Sequence, residues 1–258
     1  AVTGVQTCAL PILKLFLALA SLAILVSAPK LEAIKNFYWE NPARLSRGVG
    51  AYPQALKAGK RVLALWQDIV ATDAGGNAWL SVVAWEDGQA RRQDRLIGPI
   101  PFRGDPPVLY SAASDGTDRV AIAVSTDPQV VSVFISTDGG LNFGQPAVVA
   151  MDEPGVAPRI HPRSGGGWHL FMTRGESDSL SIHHSWSADG IVWTPFSAFV
   201  PAASGLRLNF LPTAVSANGL DVVVFQSLAG GERPSFQLFS RTSSDGGASW
   251  TAPKLVTD

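Results

Sequence analysis

The sequence predicts an all-β fold, a β-propeller of four-stranded antiparallel blades, on the basis of two repeating features and the composition. A proline opens an apolar stretch four times, at Pro53, Pro107, Pro158 and Pro212, with spacings of 54, 51 and 54 residues. A Ser-x-Asp turn follows the last three prolines after 31, 31 and 33 residues, in "STDGGLNF", "SADGIVW" and "SSDGGASW". The 25 glycines and 18 prolines suit short strands joined by tight turns. Four units of about 50 residues are typical of a propeller.

Each unit contains four short strand-like segments. The fourth reads "PTAVS", "LDVVVFQS", "SFQLFSRTS" and "PKLVT". The continuous apolar run at 222–225 predicts a central strand covered on both faces, and the alternation at 131–136 predicts a half-exposed strand. A stacked β-solenoid is the alternative, although its repeats are usually shorter. We expect blades at about 50–102, 103–152, 153–203 and 204–258.

The N-terminal residues are interpreted separately from the repeats. Residues 1–12 look like the translation of a sequencing-library adapter and are excluded from the fold prediction. Residues 13–33 predict a signal peptide or N-terminal anchor, because Lys14 precedes twelve uncharged residues at 15–26, fewer than the roughly 20 of a membrane span. A buried core helix is the alternative, and residues 34–49 form a lead-in segment. The sequence therefore predicts export, to a secreted, periplasmic or cell-surface location.

Composition and charge exclude several classes of function. The net charge is −1 and no Lys/Arg-rich run occurs, so no nucleic-acid partner is expected. Cys8 is the only cysteine, which leaves no disulfide framework and no thiolate metal site. The four histidines are interpreted as ordinary strand residues, since adjacent residues on a strand point to opposite faces; they are His161, His169, His183 and His184. No cofactor and no metal are expected.

The three turns match the Asp-box pattern, Ser-x-Asp-x-Gly-x-x-aromatic, and residues 50–258 resemble the sialidase superfamily, whose members carry these BNR repeats. The matching residues are Ser136, Asp138, Gly140 and Phe143, then Ser187, Asp189, Gly190 and Trp193, then Ser243, Asp245, Gly247 and Trp250. The second copy is one residue shorter than the pattern, and Asp87 in "AWEDGQ" resembles a degenerate fourth copy. Because sialidases close six blades, the resemblance implies that the chain is a fragment of a six-bladed propeller.

The residues themselves favour a structural role for these turns. An aspartate side chain can accept hydrogen bonds from the backbone N–H groups that follow it, and the glycines supply positive φ angles. The turns join the third and fourth strands of each unit. In a four-stranded meander those turns share a face with the 1–2 loops, whereas the 2–3 loops and the 4–1 connections share the other. The sialidase resemblance implies that ligands bind on the face of the 2–3 loops.

Candidate site residues come from that second face. Acidic residues in or beside the 2–3 loops include Asp68, Asp73 and Asp127, and the 4–1 connections carry Arg47, Arg103 and Arg207, while Arg159 directly follows Pro158. The sialidase resemblance implies an aspartate acid/base, three carboxylate-binding arginines and a Tyr–Glu pair with a tyrosine nucleophile. It assigns Asp73 or Asp68 as the acid/base and Arg47, Arg159 and Arg207 as substrate-binding residues.

Two positions depart from the sialidase pattern. Ala51 stands two residues before Pro53, where the first arginine is expected, and the three tyrosines, Tyr38, Tyr52 and Tyr110, all lie early in the chain. The main prediction is therefore an exported, sialidase-like propeller that binds a glycan or a cell-surface protein without an intact sialidase motif. An exo-acting glycoside hydrolase on acidic sugars is the first alternative, and a structural or assembly factor is the second. No membrane span is expected beyond a possible N-terminal signal anchor.

Overall fold

The computed structural model describes residues 49–72, 75–103, 108–175, 180–229 and 235–257. The predictions for residues 1–48, which include Arg47, and for Asp73 and Pro107 lie outside these residues. Within them the backbone is almost entirely β, with one 3-10 turn at Ala202–Ser204. No helix of the described ranges has both the length and the apolar character that a membrane crossing requires.

The described strands form four separate sheets, one for each repeat. The first contains β1 (Val49–Ala58), β2 (Arg61–Thr72), β3 (Gly75–Glu86) and β4 (Gln89–Phe102), and the second contains β5 (Tyr110–Ser114), β6 (Val120–Asp127), β7 (Val130–Ser136) and β8 (Ala147–Ala150). The third contains β9 (Gly155–Pro162), β10 (Trp168–Arg174), β11 (Ser181–Ser187) and β12 (Ser197–Ala198), and the fourth contains β13 (Arg207–Ala217), β14 (Leu220–Ala229), β15 (Ser235–Ser243) and β16 (Lys254–Leu255). Each sheet is an antiparallel meander in chain order. The predicted all-β fold of four-stranded blades is confirmed.

The sheets pack face to face in chain order, and a separate apolar cluster fills each of the three contacts. Strand β6 shows how the sequence produces this layering. Val120, Ile122 and Val124 pack toward the first sheet, while Ala121 and Ala123 pack toward the third. A continuous apolar run is thus buried on both faces, as expected for a central strand. The described strands of the first and fourth sheets share no extended contact.

The repeating prolines mark β-bulges in the first strand of the blades. Tyr52, Ala157 and Leu211 each immediately precede a repeat proline and have φ angles of 52°, 53° and 53°. The strand register shifts at the same places in β1, β9 and β13. Proline has no N–H for the ladder and is tolerated where a bulge interrupts the pairing. The spacing of the prolines therefore reflects a repeated backbone irregularity.

The Ser-x-Asp turns join the third strand of a sheet to the fourth. In the turn after β7, the Ser136 hydroxyl donates to Asp138 Oδ1 at 2.8 Å and accepts the Gly140 N–H at 2.9 Å. The Asn142 N–H also donates to Asp138 Oδ1, at 2.9 Å. The corresponding serine–aspartate distances are 3.0 Å for Ser187 and Asp189 and 2.7 Å for Ser243 and Asp245. Each of these aspartate carboxylates therefore accepts hydrogen bonds from backbone N–H groups of its own turn.

Each turn also packs on the sheet that precedes it. A Cβ added to Gly140 would lie 2.2 Å from Leu63 Cδ2 in the first sheet, and one added to Gly247 would lie 2.4 Å from His169 Cε1 in the third. Both glycines have a φ angle near +85°, at 83° and 87°. Arg61 Nη1 reinforces the first of these contacts by donating to the Asp138 carbonyl at 2.9 Å. The turns are therefore contact points between neighbouring blades as well as hairpin ends.

The equivalent position in the first sheet is built differently. Asp87 and Gly88, with φ angles of 53° and 75°, form a two-residue turn between Glu86 and Gln89. Two consecutive positive φ angles match the tight hairpin turn that Asp-Gly favours. Asp87 thus occupies the expected place between the third and fourth strands, in a shorter turn than the other three copies.

Candidate functional site

The 2–3 loops and the 4–1 connections lie together on one face of the sheets. The β6–β7 turn is hydrogen-bonded to the segment that leads into the third sheet: the Met151 N–H donates to the Gln129 carbonyl at 2.9 Å and the Gly155 N–H to the Pro128 carbonyl at 2.7 Å. The segment that leads into the second sheet is held in the same way, since the Leu109 N–H donates to Gln67 Oε1 of β2 at 2.9 Å. Hydrogen bonds to the backbone of both connecting segments therefore hold the walls of this face in place.

A pocket of about 650 Å³ opens on this face. Its described lining comes from the end of β4 and the residue that follows it (100–103), the approach to β5 (108–109), the β6–β7 turn with the end of β6 (125–128) and the start of β9 (155–157). Three consecutive blades contribute to it, and the bulged residue Ala157 forms part of its wall. A pocket of this size and position, framed by loops on a rigid scaffold, is a common location for a small-ligand site.

The lining combines an aromatic ring, an apolar floor and a charged rim. The half-buried Phe102 pairs with Gly76 across β3 and β4, and a Cβ on Gly76 would lie 2.9 Å from Phe102 Cζ, so the glycine makes room for the ring. Ile100 and Leu109 also line the pocket and are 6% and 8% exposed. Arg103 and Asp127 are exposed, and Asp127 Oδ1 accepts the Gln129 N–H at 3.0 Å. An apolar platform beside hydrogen-bonding groups suits a ring that carries hydroxyls.

The predicted site residues within the described ranges do not meet in this pocket. Asp68 is buried in β2, where it accepts the Ser81 hydroxyl at 2.6 Å. Arg159 is half-buried in β9, and burial lowers the pKa of its guanidinium. Arg207 is exposed at the start of β13. These residues belong to the first, third and fourth sheets, and none is among the described lining residues.

The sequence placed Arg103 and Asp127 on this face but did not select them, and it did not identify Phe102. The candidate acid/base residues were assigned to the long β2–β3 loop, whereas the pocket forms at the short β6–β7 turn. Phe102 follows "IGPIP" at the end of β4, and its role depends on Gly76 in the neighbouring strand. The packing of Phe102 against Gly76 follows from the register of β3 and β4. The hydrophobic periodicity along the chain does not predict it.

Tyr110 has a structural role in the contact between the first two sheets. It is 3% exposed, and its hydroxyl contacts the Tyr52 and Leu65 carbonyls. Burial raises the pKa of Tyr110 well above its ordinary value. A neutral phenol that is bound to backbone carbonyls in this way is poorly suited to act as the tyrosine nucleophile of a sialidase-like mechanism.

Two further cavities lie on the opposite face, beside the Ser-x-Asp turns. One of about 590 Å³ is lined by Glu86, Arg91, Asp94 and residues 141–143. The other, of about 480 Å³, has Val133, Ile135 and Ile191 among its lining residues. Glu86 is already ion-paired with Lys60 and Arg61. Within the described ranges no group of three or more His, Cys, Asp or Glu side chains is arranged to hold a metal ion.

Comparison with known proteins connects this fold to carbohydrate-active enzymes. The structure is similar to an α-L-arabinanase of Penicillium chrysogenum complexed with arabinobiose, with a TM-score of 0.54 and 17% identity over 81% of this chain and 67% of that one. It is also similar to the GH93 α-L-arabinofuranosidase of Fusarium graminearum complexed with arabinobiose, with a TM-score of 0.51 and 16% identity over 81% of this chain and 66% of that one. A protein of unknown function from Dyadobacter fermentans gives a TM-score of 0.52 and 15% identity over 80% of this chain and 68% of that one.

The chain spans about two thirds of the length of these structures. The sequence matches no protein-family model and no curated protein. The expected β-propeller fold is thus confirmed, and it is of the kind found in glycoside hydrolases, whereas the finer resemblance to the sialidase superfamily stays a prediction.

Proposed function

We propose that the protein binds a carbohydrate in the pocket formed by β4, the β6–β7 turn and the start of β9. The observation that supports this most directly is the combination of the Phe102 ring with Arg103 and Asp127 in one pocket of about 650 Å³. A pyranose or furanose ring has C–H groups that pack on an aromatic surface and hydroxyls that pair with charged side chains at the rim.

The structural likenesses indicate the saccharides to test first. The arabinanase and the arabinofuranosidase were both solved with arabinobiose. A short neutral arabino-oligosaccharide is therefore the first probe, and sialyllactose is the acidic comparison. Arg103 would favour the acidic saccharide and Asp127 would oppose it, so the relative affinities report which side chain dominates recognition.

Binding without turnover is favoured over hydrolysis. Glycosidases that use two carboxylates place them about 5 to 10 Å apart across the scissile bond. Asp127 is the one carboxylate among the described residues that line the pocket. Sialidase-like hydrolysis of acidic sugars, the first alternative from the sequence, would also need a tyrosine nucleophile, and the buried Tyr110 does not suit that role.

Isothermal titration calorimetry with arabinobiose, arabinotriose and sialyllactose tests the proposal. We expect Phe102→Ala to weaken binding of every saccharide that the pocket takes, and Asp127→Asn to weaken binding of the neutral arabino-oligosaccharides, in each case by about tenfold, a loss of about 1.4 kcal/mol. Thr137→Ala, an exposed change in a turn on the opposite face, is the matched control and should leave affinity unchanged. Thermal unfolding of each variant separates lost binding from lost folding.

Affinity that survives both pocket changes in folded variants would contradict the proposed site. The same preparations are assayed for release of a fluorogenic group from an arabinofuranoside and from a sialoside. Turnover that Asp127→Asn abolishes would replace the binding proposal with the hydrolase alternative. Export of the protein stays a prediction from residues 13–33.

A further inference from the structure

Three histidines and one aspartate meet at the contact between the third and fourth sheets. His184 Nε2 of β11 lies 3.0 Å from His169 Nδ1 of β10, and His169 Nε2 lies 3.4 Å from Asp221 Oδ1 of β14. His169 and Asp221 are fully buried and His184 is 5% exposed. His161 of β9 lies beside them, opposite His169 in the register. We call these four residues the histidine seam.

Asp221 fixes the protonation pattern of the seam. Its carboxylate accepts the Ser164 N–H at 2.7 Å and the Ser164 hydroxyl at 2.6 Å, and it also accepts the Ser216 hydroxyl. Burial raises the pKa of Asp221, but these hydrogen bonds outweigh that effect and hold it below its usual value. The ionised carboxylate favours a proton on the facing His169 Nε2, which lies 3.4 Å away without forming a well-aligned hydrogen bond, and His169 Nδ1 then accepts from His184 Nε2–H. Both rings are then neutral, and His184 Nδ1 carries no proton.

The surroundings of the seam disfavour an added proton. The His184 ring stacks on Phe171 with centroids 4.8 Å apart, and Phe199 and Trp250 contact it edge-on. The charged groups that face the seam are Arg159 of β9, Arg163 of the β9–β10 hairpin, Arg241 of β15 and Asp221 of β14. Three guanidiniums thus oppose one carboxylate around rings that are removed from water.

Burial therefore lowers the pKa of every seam histidine. Loss of solvation is the largest cause for each ring and nearby guanidiniums add to it, whereas Asp221 acts in the opposite direction on His169 and His184 without outweighing the burial. The pKa falls to about 4 for His161 and His169 and to about 3 for His184. When the two sheets separate, the rings regain water and an ordinary pKa near 6.5. Protons consequently bind more tightly to the separated state than to the packed one.

We propose that the histidine seam makes the contact between the third and fourth sheets acid-sensitive, so that neutral imidazoles hold the fourth sheet in place and their protonation releases it. The histidines are unevenly placed in the fold. All four histidines of the sequence lie in β9, β10 and β11. His169 and His184 contact the Trp250 ring of the fourth repeat, with centroids 5.6 Å and 5.5 Å apart, whereas His183 points to the opposite face of β11.

Hydrogen exchange measured by mass spectrometry on the full chain tests the proposal at about pH 7 and pH 5. Exchange is expressed as protection factors, which removes the pH dependence of the chemical step. We expect the protection of peptides from residues 207–255 to fall at least about tenfold more than that of peptides from 49–102. Equal loss of protection in all four sheets, or no loss in the fourth, would overturn the proposal.

Two variants separate the seam from other titrating groups. His184→Phe keeps an aromatic ring against Phe171 and removes the titration, so it should reduce the acid-dependent loss of protection in the fourth sheet. His183→Gln is the matched control, because the neighbouring His183 faces Arg174, with 3.0 Å between His183 Nδ1 and Arg174 Nη1. It should leave the loss unchanged. An identical loss in wild type and in folded His184→Phe would contradict the assignment.

Nitrogen-15 NMR of the imidazoles in the unmodified protein tests the proposal even if His184→Phe does not fold. The seam rings should stay neutral while the fourth sheet is protected, and their protonated signals should appear together with the loss of protection. Protonated seam rings at about pH 6 with the fourth sheet still protected would overturn the proposal.

Discussion

At the scale of a residue, the hydrogen bonds of Asp138 show what the aspartate contributes to a Ser-x-Asp turn. Asp138 Oδ1 accepts the Ser136 hydroxyl and the Asn142 N–H, and Oδ2 accepts Asn142 Nδ2 at 2.7 Å. Burial raises the pKa of Asp138, but the Asn142 and Ser136 hydrogen bonds lower it overall. A folded-state pKa below the unfolded value means that the ionised side chain stabilises the turn above about pH 4 and loses this effect as the pH falls further.

The residue-scale prediction concerns that carboxylate. Asp138→Ala should lower the free energy of unfolding by about 1–3 kcal/mol, because the turn loses acceptors for its N–H groups. Asp138→Asn should cost less, since one acceptor oxygen is kept. Urea denaturation at neutral pH measures both. A cost for the asparagine variant equal to that of the alanine variant would show that charge, rather than hydrogen bonding, stabilises the turn.

At the scale of elements, the turn is a contact between neighbouring sheets. Gly140 has a φ angle of 83°, and a side chain there would meet Leu63 of β2 at 2.2 Å. Gly116, in the β5–β6 hairpin, has a similar φ angle of 87° with no atom within 4 Å of an added Cβ. The two glycines therefore differ in packing while sharing the same backbone requirement.

This pair gives the element-scale prediction. Gly140→Ala should lower the free energy of unfolding by about 2–4 kcal/mol, because backbone strain adds to overpacking against Leu63. Gly116→Ala should cost only about 1 kcal/mol, which is the strain alone. Denaturant titration of the two variants compares them. Equal costs would show that the turn does not depend on close packing with the first sheet.

For the whole molecule, the buried histidines set the dependence of stability on pH. A pKa lowered in the folded state means that the unfolded chain binds more protons below about pH 6.5, so stability falls as the pH decreases toward the folded-state pKa. Between pH 7 and pH 5 we expect a loss of about 2 kcal/mol for each buried histidine, since one pKa unit corresponds to about 1.4 kcal/mol.

Urea denaturation at about pH 7, 6 and 5 measures this loss. In His184→Phe the slope of unfolding free energy against pH should be shallower by the contribution of one histidine. A free energy that stays flat over this interval would show that the seam rings are solvated in the folded protein. A slope unchanged by His184→Phe would assign the dependence to other groups.

The fold was predictable because its signals repeat locally. The prolines and the turns recur at nearly constant spacing, and each has a local physical cause. Proline is tolerated at a bulge in the strand, and an aspartate side chain accepts hydrogen bonds from the backbone N–H groups of its turn. The candidate site was less predictable. Asp68 has the residue type of an acid/base but is buried against Ser81, whereas Phe102 lines the pocket because Gly76 in the neighbouring strand makes room for it.

Local patterns in the sequence are sufficient to predict the class of fold, the order of strands within each sheet and the face on which the Ser-x-Asp turns lie. These follow from the period-two pattern of strands and from turn chemistry, which act over a few residues. Two relations emerge only when the sheets pack together: Arg103 and Asp127 share a pocket, and His169 lies between His184 and Asp221. Such contacts depend on how separate sheets pack. Side chains that are far apart in the chain then share one environment, and no single segment of the sequence encodes the burial and charge of that environment.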